Sequence, residues 1–482
     1  MTTMIQGGWV IANDGSGHRL IEDGVVVFDG GEIVHVGRSY GGRVDERIDA
    51  AGKIVSPGFV NTHFHAATPI SSEAYVIDTD QRLVFGNPNI PLRPTKERLG
   101  DPGLADDDLH AVAKFTLCAL LRSGCTTVVE MGAGSESLVE LVDDLGLRCY
   151  TGPGYRSAET YTGEDGSYYL KDWDEERGLR GLERAREFAE RFDGAHEGRV
   201  RALFIPMQAD NCTPSLFRET RRAAAETGIR VATHVSQRIY EFHEIIRRHG
   251  RTPIGFLEEV GFLGPDALVG HALYVSGQYG TAYPGDGDVE SLVRTGTSVA
   301  MCPLVSARTS WAHQSFGRYL RMGVNVTLGT DTWPLDIISE MRWASIIGKI
   351  VERDRSSATS AEVYTAATLN ASKALGRSDL GRLARGAKAD IVIIDPDSFR
   401  FAPVADPVKS LVNAGTCDDV ETVIIGGRRI VEDGRVLGVD ERAVRREASR
   451  VARDVWEKVP ERDWANRGIH EIGPLSFRPW DE

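Results

Sequence analysis

Eight short apolar stretches recur between residues 58 and 331, and no other feature of the chain restricts its fold as strongly. They read GFVNTHFH (58–65), TTVVEMG (126–132), LRCYTGPG (147–154), VRALFIP (200–206), RVATHVS (230–236), ALVGHALYV (267–275), SVAMCP (298–303) and NVTLGTD (325–331). Amphipathic stretches such as ADDDLHAVAKFTLCALLRSG and PSLFRETRRAAAETG stand between several of them. Strands that alternate with helices form a parallel sheet, and eight such units predict a closed (β/α)8 barrel. The first ~55 residues and the segment 389–437 have a different texture, with short β-branched runs broken by Gly and Asp turns. Two β-rich ends around one barrel predict a small composite β-sandwich domain. The expected division is residues 1–56 and 385–440 for that domain, 57–384 for the barrel and 441–482 for a helical tail.

Two connections exceed the usual few residues. One spans 66–105. The other, 155–175, carries Tyr155, Tyr161, Tyr168, Tyr169 and Trp173. Both leave the C-terminal ends of predicted strands, where barrel enzymes place their sites. They are expected to act either as self-packed surface loops or as walls of a substrate pocket.

The chemistry-bearing residues sit at the same strand ends. In NTHFH, His63 and His65 are two apart on a strand, so both point to one face. His234 ends the fifth strand, His271 lies on the sixth and Asp331 ends the eighth. A barrel core prefers Val, Ile and Leu, and a buried carboxylate without a partner costs several kcal/mol or is protonated. A divalent cation removes that cost, so the set reads as a metal site.

These motifs resemble a known family. GKIVSPGFVNTHFH is similar to the strand that opens the barrel of the amidohydrolase superfamily. GHAL, TGTSVAMCPL, GVNVTLGTD and LGRLARGAKADIVIID resemble the later segments of its cytosine-deaminase and triazine-hydrolase branch. The resemblance spans about residues 4–440. It implies that His63, His65, His234 and Asp331 hold one divalent metal ion, zinc first, with iron, manganese or cobalt as alternatives. It places His271 beside that ion, as a weak ligand, a holder of the water or a group that polarises the substrate. The fourth-strand segment VRALFIPMQAD has no lysine to bridge two metals, so a mononuclear site is expected. Such a metal acidifies its water toward pH ~7 and supplies the attacking hydroxide. Asp331 then takes the proton and passes it to the leaving group, and His271 stabilises developing charge.

Deaminases of the branch carry H-x-x-E at the fifth strand, where the Glu protonates a ring nitrogen. Here the stretch is HVSQ. Gln237 donates and accepts hydrogen bonds but transfers no proton at ordinary pH, and lost acid–base help costs about 10²–10⁴-fold. The expected substrates are therefore small apolar or aromatic amides, ureas, carbamates or thiocarbamates. The alternative is a heteroaromatic aminohydrolase (triazine, pyrimidine or purine) or a hydrolytic dechlorinase. Gln208, Arg308, His313 and Trp333 are the candidate substrate contacts, and Trp333 with the loop tyrosines hints at a bulky apolar ligand.

Net charge is -14, spread along the chain, which argues against nucleic acid or an anionic membrane as partner. No leader or membrane span is evident at the N-terminus or elsewhere, and the six cysteines have no metal or disulfide spacing. A cytoplasmic enzyme acting on a small molecule is expected, and the resemblance implies a homodimer or larger homo-oligomer.

Overall fold

The computed structural model describes residues 1–67, 78, 104–162, 168–171, 173–308, 316–462 and 466–480. The eight expected strands are all present, as Phe59–Phe64, Cys125–Glu130, Arg148–Thr151, Val200–Pro206, Arg230–Val235, Ala267–His271, Ser298–Met301 and Asn325–Leu328. Each pairs in parallel with the next, and the helices Asp106–Arg122, Glu175–Phe192, Pro214–Thr227 and Ile239–His249 are among those that link them.

The first strand meets the eighth to close the ring. Thr62 Oγ1 lies 2.7 Å from Thr327 Oγ1 and donates to the Leu328 carbonyl at 2.9 Å, while Asn61 Nδ2 donates to Thr330 Oγ1 at 2.8 Å. Above them, His65 N donates to Asp331 O (3.0 Å) and Asp331 N to His63 O (2.9 Å). Gly329 stands against this seam because a Cβ there would lie 2.5 Å from His63 Cβ.

Both chain ends join in one nine-stranded sheet. The link is Ile54–Pro57, paired antiparallel with Ile391–Ile394 in the register Val55↔Ile393. A buried cluster that includes Ile5, Val26, Phe28, Val55, Ile391 and Ile424 fills this domain. The tail helix Glu441–Glu457 packs Val451, Ala452 and Val455 on Val112 of the helix Asp106–Arg122. Among the described residues, no helix is long and apolar enough to cross a membrane.

The long connection after the third strand is partly structured. Glu159–Thr162 and Tyr168–Lys171 form an antiparallel hairpin. Tyr155 is buried and shares a 2.9 Å hydrogen bond with Thr220, which makes it a packing residue. The Arg248 guanidinium lies 4.9 Å over the exposed Trp173 ring. Nearly all of the connection 66–105 lies outside the described residues.

Barrel and sheet are tied by a buried ion pair. Arg148 gives Nε to Asp390 Oδ2 at 2.7 Å and Nη2 to Oδ1 at 3.1 Å, and Gly426 N donates to Oδ1 at 2.8 Å. Arg148→Met leaves a buried carboxylate without its cation and is expected to lower unfolding free energy by about 3–5 kcal/mol. Urea denaturation measures this; a loss below about 1 kcal/mol, the scale of a surface pair, would mean the domains do not depend on the pair.

Candidate metal centre and active site

The side chains aimed at the barrel mouth come from strand ends where the chain bends sharply. Ser236, His271, Ala272 and Asp331 all have positive φ, at 54°, 71°, 43° and 56°. Non-glycine residues in that region cost about 1–3 kcal/mol each and cluster at functional sites. Here the bend ends each strand and turns its last side chain inward.

His63, His65, His234, His271 and Asp331 are brought together. The sets His63–His234–His271 and His63–His65–Asp331 each place their ligand atoms within 4.8 Å of one another. His65 Nε2 is 3.2 Å from His234 Nε2 and 3.6 Å from Asp331 Oδ1, and His271 Nε2 is 3.8 Å from Asp331 Oδ2. The tautomer of His234 follows from its neighbour: Nδ1 lies 2.6 Å from the Met207 carbonyl and donates to it, so Nε2 carries the lone pair.

The donor set fits a cation. His63 is fully buried, and neither ring nitrogen has a hydrogen-bond partner among the described residues. Burial drives His63 far below the ordinary histidine range and takes His65 to about 3 and His234 to about 4, so all three are neutral imidazoles. Burial also pushes Asp331 up to about 7. Buried imidazole lone pairs facing one another and a carboxyl group are the arrangement that a borderline-soft divalent ion stabilises.

The remaining candidates divide. Gln208 bridges to His234 between the fourth and fifth strands. Gln237 is half-buried just beyond the fifth strand. The Arg308 guanidinium stacks 4.4 Å over the Trp333 ring, and both residues are half-buried. His313 lies outside the described residues.

Sequence reasoning missed three buried glutamates. Glu130 accepts from Ala133 N (2.7 Å) and Thr151 Oγ1 (2.9 Å), with Ala66 N at 3.5 Å. Glu241 accepts from Ser236 N (2.8 Å), Gln237 N (3.0 Å) and Gln208 Nε2 (3.0 Å). Glu340 accepts from Leu304 N at 3.0 Å. All three are fully buried, and burial raises each above the usual carboxylate range, Glu130 to about 7. Each holds the loop that leaves a strand end. The available signal was an acid inside an otherwise apolar strand or helix face, as in TTVVEMG. Cys302 was missed too: it lies within 4.8 Å of His271 and Asp331.

A model of the amidohydrolase family matches residues 54–430, most of the chain and all five mouth residues. The chain belongs to the amidohydrolase family. Like other members, this amidohydrolase is a metal-dependent hydrolase that acts on carbon–nitrogen bonds. A 5′-deoxyadenosine deaminase of Methanosarcina mazei is 28% identical over 443 residues, covering 91% of this chain and 95% of the relative. A 5-methylthioadenosine/S-adenosylhomocysteine deaminase of Natronomonas pharaonis is 30% identical over 429 residues, covering 88% and 92%. Among solved structures, an adenosine deaminase from Xanthomonas campestris with bound zinc superposes with a TM-score of 0.79 at 20% identity, covering 94% of this chain and 98% of that one. An atrazine chlorohydrolase from Arthrobacter aurescens TC1 complexed with zinc gives 0.78 at 23% identity, covering 93% and 100%. The donor set bears out the expectation of a divalent metal ion.

Elemental analysis of the purified chain is expected to find a single divalent ion, zinc. His63→Ala and His234→Ala should lose it, and Gln237→Glu should keep it. Full occupancy in His63→Ala would remove that residue from the ligand set.

Proposed function

We propose that this amidohydrolase removes an amino group from a heteroaromatic ring of the aminopurine type, releasing ammonia. The observation that carries this reading is the 28–30% identity to adenosine-type deaminases along nearly the whole chain. It departs from the carbonyl substrates that Gln237 suggested. What supports the departure is that a buried acid is present in the cluster: Asp331 sits among the histidines.

His63, His65, His234 and Asp331 are the proposed ligands of the divalent ion. When bound, that ion supplies Lewis acidity, which acidifies water and polarises the electrophilic carbon. Asp331 is the proposed proton carrier: its carboxyl group, with Oδ1 3.6 Å from His65 Nε2 and Oδ2 3.8 Å from His271 Nε2, is placed to accept a proton from the nucleophile and return it to the departing nitrogen. His271, with Nε2 3.8 Å from Asp331, is placed to hydrogen-bond the charge that develops at the attacked carbon. Gln237 orients the ring nitrogen by hydrogen bonding rather than protonating it. The Arg308–Trp333 stack offers a flat face to a planar substrate.

A second reading rests on Gln237 itself: without an acid there, hydrolysis of an amide, urea, carbamate or thiocarbamate needs no ring protonation. The two separate by product. A mass-resolved screen of the zinc-loaded protein against aminopurines, aminotriazines and aminopyrimidines is expected to show NH₂ replaced by OH with ammonia released. Turnover confined to aryl ureas, carbamates and anilides, with a substituted amine as product, would overturn the proposal. Under the aminohydrolase reading, Gln237→Glu is expected to raise ammonia release by up to about 10²-fold, because it restores a missing general acid.

A further inference from the structure

Glu241 sits one helical turn beyond Gln237, on the helix Ile239–His249, with no exposed surface. Its Oε1 accepts the backbone N–H of Ser236 at 2.8 Å. Its Oε2 accepts two donors at 3.0 Å, the backbone N–H of Gln237 and the side-chain Nε2–H of Gln208. The Gln208 amide thus turns its NH₂ end to Glu241. The carbonyl oxygen is the end left over, and it has no partner among the described residues.

Gln208 is half-exposed, and its backbone is bridged to His234, with Ala209 N donating to His234 O at 3.0 Å. The Gln208 backbone thus runs beside a residue of the metal site. We propose that Glu241 is a positioning residue that fixes Gln208 as a hydrogen-bond acceptor, so that the substrate edge beside His234 must carry an N–H or O–H donor. This deepens the aminohydrolase reading, on which it rests for its substrate, by adding a polarity requirement. A substrate with an acceptor or a methyl group at that edge meets a carbonyl oxygen and is rejected. The same carboxyl group seats the Gln237 backbone.

The geometric claim is read without turnover, by exchange of the side-chain amide protons in protein labelled with side-chain ¹⁵N-glutamine. The Gln208 signal is identified by its loss in Gln208→Met. In the wild-type chain one Gln208 amide proton should exchange slowly, and Glu241→Asp, which withdraws the carboxylate by one methylene, should remove that protection. Equal, fast exchange in both overturns the inference even if the protein proves to be a deaminase. The functional claim is read on the wild-type substrate found in the screen. Glu241→Asp and Gln208→Met should each raise KM about tenfold, the scale of a lost hydrogen bond to substrate, with kcat within about threefold and zinc content unchanged. Loss of zinc, or a fall in kcat with KM constant, would make Glu241 a purely structural brace and overturn the proposal. Slow exchange in a chain that deaminates nothing would instead uphold the Glu241–Gln208 arrangement and sink the aminohydrolase reading alone.

Discussion

Two backbone hydrogen bonds across the barrel seam, His65 N to Asp331 O and Asp331 N to His63 O, are what the rest of the site depends on. They join the first strand to the last, some 270 residues apart in sequence, and in doing so bring a carboxylate against two imidazoles. The threonine and asparagine contacts below them lock the same register. A slip of one residue at this seam would turn His63 and His65 away from the mouth, since alternate side chains face opposite sides of a strand. Closure of the barrel and assembly of the metal site are therefore one event.

Around that seam, buried glutamates do for the loops what the hydrogen-bond ladder does for the strands. Glu130 ties down Ala66 and Ala133, Glu241 ties down Ser236 and Gln237, and Glu340 ties down Leu304. Loop N–H groups at a barrel mouth have no ladder partner, and leaving them buried and unsatisfied costs about 1–3 kcal/mol each. A carboxylate accepts several such donors at once. The upward pKa shift that burial causes in these groups follows from their bracing position, and only Asp331 among the buried acids described at the mouth stands within the histidine cluster.

The family match and the chain's own histidines agree on metal-dependent hydrolysis, while Gln237 sets this chain apart from the H-x-x-E pattern at the fifth strand. Gln237 looked like the absence of an acid when read along HVSQ. The fold changes its meaning: the helix that follows returns Glu241 to the Gln237 backbone, and Gln208 arrives from the neighbouring strand to share it. The Gln208 side chain and the Gln237 backbone thus share one buried carboxyl group.

The sequence by itself determined the eight strand–helix units and the His and Asp residues at four strand ends. Both are local: strand patterning is read from side chains two apart, and a histidine or aspartate ending an apolar run is visible without knowing its neighbours. It also marked the two β-rich ends. Only the tertiary structure decided that those ends join in one sheet through Ile54–Pro57 and Ile391–Ile394, that Tyr155 belongs to the core, and that Glu130, Glu241 and Glu340 face inward. The reason is that burial and hydrogen-bond partnership belong to pairs of distant residues. Whether a glutamate is a solvated surface charge or the fixed point of an active-site loop depends on which N–H groups the closed barrel brings to it.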